Sequence, residues 1–217
     1  KIDPINCKKN ISDIHDCICK NIKNISDCNS EACILTIREI IDELGEDVED
    51  FKDSFKPLMP DEWIKDYNIW LSTDDIENVL NQHGEADKHF YFYGAVPIDF
   101  SNCSVSNLCS IDLRKHLKKG ENKIGIVFNT DPHTKKGKHW ISMYIDLKGE
   151  SLNGIPTMYY FDSYGRKPPS EIQALVNKVK KQSKKYNLGI KYFYNDEQFQ
   201  KKESQCGMYS IHFIKEM

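Results

Sequence analysis

Near the end of the chain, Cys206 and Gly207 open a run in which Tyr209, Phe213 and Ile214 recur at helical spacing. Ser204 stands just ahead as an expected N-cap. A thiol in the first helical turn sits beside unpaired backbone N–H groups and the positive end of the helix dipole. Both favour thiolate, and thiolate is the nucleophile. Gly207 is expected to leave room for a substrate backbone. A cysteine followed by glycine is more often a small buried core residue than a nucleophile, so the assignment needs support from elsewhere in the chain.

Three other residues supply it. Gln200 lies six positions ahead of Cys206, after a predicted strand at Leu188–Tyr194. Its amide can donate to a developing oxyanion alongside the Cys206 N–H. His139 begins an alternating segment that runs to Asp146, and Tyr159, Tyr160 and Phe161 lead a second aromatic segment into Asp162. Nucleophile, base, orienter and oxyanion donor would then all lie at strand ends or a helix start, the arrangement needed for acyl transfer through a thioester. No metal or organic cofactor is required.

The runs Asn129-Thr130-Asp131, Gly137-Lys138-His139-Trp140, Tyr160-Phe161-Asp162-Ser163 and Gln205-Cys206-Gly207, together with Gln200, resemble the adenain and ubiquitin-like-protein protease clan of cysteine peptidases. The likeness is strongest to the polyprotein-processing branch found in African swine fever virus and other large DNA viruses. It is concentrated in residues 124–214, with a fainter trace around Cys28–Thr36. It implies His139 as general base, Asp162 as its orienter, Cys206 as nucleophile and Gln200 as oxyanion donor. Trp140, Gly207 and Asn129 are the implied substrate contacts. The swine fever branch carries Asn where this chain has Asp162, whereas ubiquitin-like-protein proteases carry Asp. The implied substrate is a viral structural polyprotein cut after small residues at Gly-Gly or Gly-Ala sites, in the virion or at cytoplasmic assembly sites. A deconjugase for ubiquitin or a ubiquitin-like modifier is the alternative, and an acyltransferase of related fold is less favoured. The partner is a protein substrate; nucleic acid is not the favoured one, and the oligomeric state is left open.

The fold class expected is α+β, a mixed central sheet with packed helices, preceded by an acidic helical arm. We place the arm at residues 1–69 and the protease core at 70–217. The 217 residues suffice for one well-cored domain and an appendage. There is no apolar run of membrane-spanning length, and 29% charged residues fit a soluble protein. Lys1 is not a natural start, and relatives of the clan continue beyond the place corresponding to Met217, so a closing element is expected either outside this sequence or from a partner.

A net charge of −3 conceals a split. Residues 1–100 carry 22 acidic and 10 basic side chains, net −12, whereas residues 101–217 carry 11 and 20, net +9. Docking of the acidic half on the basic half is the favoured explanation over an anionic partner. Of eight cysteines, five lie in the first 33 residues, at spacings that match no paired C-x-x-C zinc framework. Because a nucleophilic thiol argues for a reducing compartment, free or buried thiols are expected rather than disulfides.

Along the chain, Ile34–Leu44 reads as a helix stopped by Gly45, and Pro57 and Pro60 bracket a break. Ser72–Asp75 reads as a capping box for a helix ending at Gly84. His89–Phe100 and Ile124–Phe128 read as strands, Ile111–Leu117 as a short helix, and Ser170 onward as a helix with Ile172, Leu175, Val176 and Val179 inward. The loop 130–138 is an expected substrate contact, and His133 within it a surface histidine.

Overall fold

The computed structural model describes residues 37–48 and 69–217. By its contacts the chain divides into two units, 1–59 and 60–217. The expected boundary at 69/70 abuts undescribed residues, and the proline break and the five early cysteines lie outside the described residues. In the first unit, helix α1 (Arg38–Leu44) ends at Gly45, whose φ of 55° lets the chain leave the helix, and a 3-10 turn follows at Gly45–Asp47. The N-terminal residues of the helix expected from Ile34 lie outside the described part.

The second unit is built on a five-stranded sheet in the order β1-β2-β3-β4-β5. Its strands are β1 (Phe90–Pro97), β2 (Lys123–Asn129), β3 (Trp140–Asp146), β4 (Thr157–Phe161) and β5 (Lys191–Tyr194). The two inner pairings, β2–β3 and β3–β4, are antiparallel, and the two outer ones, β1–β2 and β4–β5, are parallel. Parallel neighbours need a crossover. Here α3 (Leu113–Lys119) lies between β1 and β2, and α4 (Ser170–Lys185) between β4 and β5. Two further helices complete the unit: α2 (Thr73–Ala86), which precedes β1, and α5 (Cys206–Glu216), which ends the chain.

Every residue of the central strand β3 is buried, and its alternation sorts the core into two layers. Ile141, Met143 and Ile145 join Ile126, Phe128 and Tyr160 beneath the α4 face of Ile172, Leu175, Val176 and Val179. Trp140 and Tyr144 point the other way and pack with Ile76, Leu80, Phe90, Cys206, Ile211 and Ile214 of α2, β1 and α5. Burying each such aliphatic or aromatic side chain contributes roughly 1.5–3 kcal/mol. Helix α5, which carries Cys206, is therefore anchored by its own apolar face on the sheet.

Local signals account for the boundaries. Ser72 and Asp75 form the expected reciprocal box, Ser72 N–H donating to Asp75 Oδ2 at 2.8 Å and Asp75 N–H to Ser72 Oγ at 3.2 Å. Asp112 caps α3 by accepting the Arg114 N–H at 2.9 Å. Three expectations shift. Helix α2 runs through Gly84 to Ala86, because a helical glycine is tolerated where the i→i+4 ladder continues. Strand β5 begins at Lys191 rather than Leu188, since Asn187 and Gly189 take positive φ and hold the chain in a turn. Cys103 and Cys109 are joined as a disulfide, against the expectation of free thiols, because the turn between them brings their Cα atoms to 5.2 Å. Cys206 is the free cysteine among the described residues. No described helix is long and apolar enough to cross a membrane.

Candidate active site

His139 lies one residue ahead of β3 and Asp162 one residue after β4. The antiparallel register pairs Ser142 with Phe161, so continuing it past the end of the ladder brings His139 beside Asp162 and Tyr164. His139 Nε2–H donates to Asp162 Oδ1 at 2.7 Å, with both side chains more than nine-tenths buried. Burial alone would depress the His139 pKa. The hydrogen bond to Asp162, the interaction with Cys206 and the charges of both outweigh it, and the imidazole is raised to about 9. With Nε2 committed to Asp162, Nδ1 is the nitrogen left for Cys206.

Asp162 is itself held in place. Its Oδ1 also accepts the Tyr164 N–H at 2.8 Å, and its carbonyl accepts from Gly165 N–H at 2.7 Å. The Tyr164 ring lies 5.0 Å from that of His139, centroid to centroid, and Arg166 Cζ lies 4.6 Å from the centroid of the same Tyr164 ring. Tyr164 went unnoticed in the sequence, although it sits two residues past the orienter, where the register makes contact with His139 unavoidable.

Cys206 is the first residue of α5 and is 1% exposed. The N-cap is Gln205, without a side-chain bond, and a 3-10 turn at Glu203–Gln205 leads into the helix. Ser204 is therefore not the cap; it is buried within that turn. At Gly207 a Cβ would stand 2.8 Å from Leu71 Cβ and 3.0 Å from its Cγ and Cδ1, so the glycine lets α5 close against Leu71. Gly207→Ala is expected to cost about 1–3 kcal/mol through overpacking. The checks are a lower thermal midpoint and slower alkylation of Cys206.

Gln200 is fully buried. Ser163 Oγ donates to its Oε1 at 2.6 Å, which fixes the side-chain amide with its nitrogen turned towards the turn ahead of Cys206. Nε2 then donates to the carbonyls of Lys202 at 2.5 Å and Glu203 at 3.0 Å, with Tyr164 Oη at 3.2 Å. Two hydrogens face three neutral acceptors just ahead of Cys206.

Trp140 is buried, and its indole N–H donates to the Leu71 carbonyl at 2.9 Å. It also lines a cleft of about 260 Å³ together with Thr73, Pro97, Asn129, Lys136 and Gly137. Asn129 borders the same cleft, but its Oδ1 is occupied by the N–H groups of Asp131 at 3.0 Å and Lys138 at 3.2 Å, tying both ends of the loop 130–138. Gly137 has a φ of +94°, and a Cβ there would fall 2.4 Å from Asn129 Nδ2. His133 is half exposed, lines the same cleft and pairs with Asp99. Among the described residues no cluster of His, Cys, Asp or Glu is placed to hold a metal ion.

These features agree with comparisons to known proteins. Residues 122–217 match the family model of the Ulp1 protease family, C-terminal catalytic domain. A protein of Acanthamoeba polyphaga mimivirus named as a thiol protease is 32% identical over 191 residues, covering 88% of this chain and 61% of the relative. This chain thus spans about three-fifths of that relative. A cysteine protease of African swine fever virus is 24% identical over 240 residues, covering 98% of this chain and 85% of its own. The crystal structure of the swine fever virus protease superposes with a TM-score of 0.62 at 22% identity, over 99% of this chain and 82% of that one. The mixed sheet with its packed helices is therefore the fold of that protease. Residues 122–217 are thus similar to the catalytic domain of the Ulp1 protease family, and the chain bears the resemblance to the viral branch of the ubiquitin-like-protein protease clan that its motifs predict.

Proposed function

We propose that this chain is a cysteine endopeptidase that cuts viral structural polyproteins after small residues, at Gly-Gly or Gly-Ala type sites, during virion maturation in the virion or at cytoplasmic assembly sites. The observation that carries the reading is the buried His139–Asp162 pair, whose imidazole also interacts with the one free thiol described, at the start of α5. Cys206 attacks the scissile carbonyl. His139 takes the thiol proton through Nδ1 and returns it to the leaving amine, while Asp162 holds the Nε2–H. The resulting oxyanion receives the Cys206 N–H, at the positive end of the α5 dipole, and one N–H of Gln200. A neutral carbonyl of Lys202 or Glu203 yields that N–H to the negative oxygen, because a charge-assisted bond is about twice as strong. Each such donor stabilises the transition state by about 3 kcal/mol. Water then hydrolyses the thioester.

A second reading is a deconjugase for a ubiquitin-like modifier. It is favoured by the Ulp1 family match and by swine fever virus relatives named as SUMO-1 cysteine proteases. One experiment separates the two. Peptides bearing Gly-Gly-Ala junctions from capsid precursors are tested beside ubiquitin and ubiquitin-like fusions, with Cys206→Ala as control. Cleavage of the precursor peptides is the expected result. Turnover confined to the modifier fusions would make the chain a deconjugase, and selective iodoacetamide labelling of another cysteine would refute the nucleophile assignment.

A further inference from the structure

The parallel pairing of β4 with β5 ends at Tyr160 and Tyr194. Beyond it the backbone of the second strand turns away, and a side chain takes over. Asn195 Oδ1 accepts the Asp162 N–H at 2.9 Å, and Asn195 Nδ2 donates to the Asp162 carbonyl at 2.7 Å. The same Nδ2 donates to the Glu197 carbonyl at 3.0 Å, which fixes the direction of the amide. A carboxamide offers the same donor and acceptor as a peptide group, so Asn195 adds one more rung to the sheet. That rung falls on the residue whose carboxylate orients His139.

We infer that Asn195 is a positioning residue of the proposed triad, acting through Asp162. With the peptide groups on both sides of Asp162 clamped, the carboxylate has only its own side-chain torsions left to set. The Tyr164 N–H, 2.8 Å from Oδ1, settles those. The Asp162 oxygen is then delivered 2.7 Å from His139 Nε2 without a further search. No other residue type supplies this pair of bonds at this reach: Asp lacks the donor, Ala lacks both groups, and Ser is too short to bridge N–H and C=O together. The inference rests on reading His139, Asp162 and Cys206 as the catalytic set, and the alternative is a plain strand cap whose loss affects stability alone.

Two variants of the full chain, Asn195→Ala and Asn195→Asp, separate these roles. Asn195→Asp keeps an acceptor for the Asp162 N–H but sets an oxygen against the Asp162 carbonyl. The readouts are the thermal midpoint, the His139 titration followed by NMR of histidine-labelled protein, and kcat and KM on the best peptide of the cleavage panel. In both variants the His139 pKa is expected to fall from about 9 towards the ordinary histidine range. We expect kcat to drop roughly tenfold to a hundredfold, as small misplacements of reacting groups do, with KM within about twofold. A lowered midpoint with the His139 titration and kcat unchanged would make Asn195 a strand cap and overturn the inference, as would failure of both variants to fold. The titration reads the His139–Asp162 pair without any substrate. If the wild-type chain neither cleaves the panel nor alkylates at Cys206, the catalytic reading fails, while the fall or persistence of the His139 pKa still decides what Asn195 does.

Discussion

Cys206→Ala and His139→Ala are each expected to leave a folded protein whose cleavage rate has fallen on the order of 10⁴-fold or more. The double variant should be scarcely worse than either. Nucleophile and base act as one unit: without the imidazole the thiol proton has no acceptor, and without the sulfur the imidazole has nothing to deprotonate. Single-turnover rates on the best peptide of the panel, for the two single variants and the double, make the test. A multiplicative loss in the double would mean that the two residues act independently and that the pair is not catalytic. The wild-type profile adds a signature in pH. With His139 raised to about 9, the imidazolium that must protonate the leaving amine persists well above neutrality and is lost as pH rises through about 9. An alkaline limb of kcat/KM near that pH should therefore appear. Stability should follow the same group. Its folded pKa lies above the ordinary value of 6.5, so the stabilisation it brings is complete below pH 6.5 and disappears as pH rises through about 9.

The parts of this site that follow strand and helix periodicity were legible in the sequence. The segment from His139 to Asp146 alternates in the sequence, and Ile141, Met143 and Ile145 fall in one core layer while Trp140 and Tyr144 fall in the other. His139 and Asp162 were locatable because each abuts an apolar strand, and a residue at the end of an antiparallel ladder must meet its diagonal neighbour. Three contacts needed partners that no local pattern reveals. Gly207 packs against Leu71, 136 positions earlier. The Trp140 N–H donates to the carbonyl of that same distant residue. Asn195, an ordinary turn residue by composition, matters only because β5 ends one residue early beside Asp162. The disulfide failed to register for a related reason. Six positions of loop separate Cys103 from Cys109, and spacing alone does not say that a turn closes between them. The acidic arm lies largely outside the described residues, and the charge split between the halves stays an expectation about that arm.

Asp162→Asn should retain about a tenth of the activity, whereas Asp162→Ala should lose roughly a hundredfold or more. The hydrogen-bond geometry supports this difference. A carboxamide at position 162 has one oxygen and one NH₂, and only the oxygen can accept from imidazole. An asparagine facing the wrong way would force the wrong tautomer on the histidine, which in a serine-protease triad costs about 10⁴ in kcat. Here the Tyr164 N–H points at Oδ1 from 2.8 Å, and that oxygen is the one bonded to His139 Nε2 at 2.7 Å. A backbone donor cannot rotate away, so it selects the amide orientation that places oxygen there, and the correct tautomer of His139 is retained. The Asn variant then loses the negative charge but keeps the orienting bond. Its His139 pKa should fall, carrying the alkaline limb of kcat/KM to lower pH, because the Asp162 charge is among the causes that raise it. The Ala variant keeps neither bond nor charge, and the imidazole is free to turn its Nε2 elsewhere. Measuring kcat/KM against pH for wild type, Asp162→Asn and Asp162→Ala gives both the size of the loss and the shift of the limb. Equal and complete loss in both variants would mean that the negative charge itself is required, and that the Tyr164 N–H does not select the amide orientation.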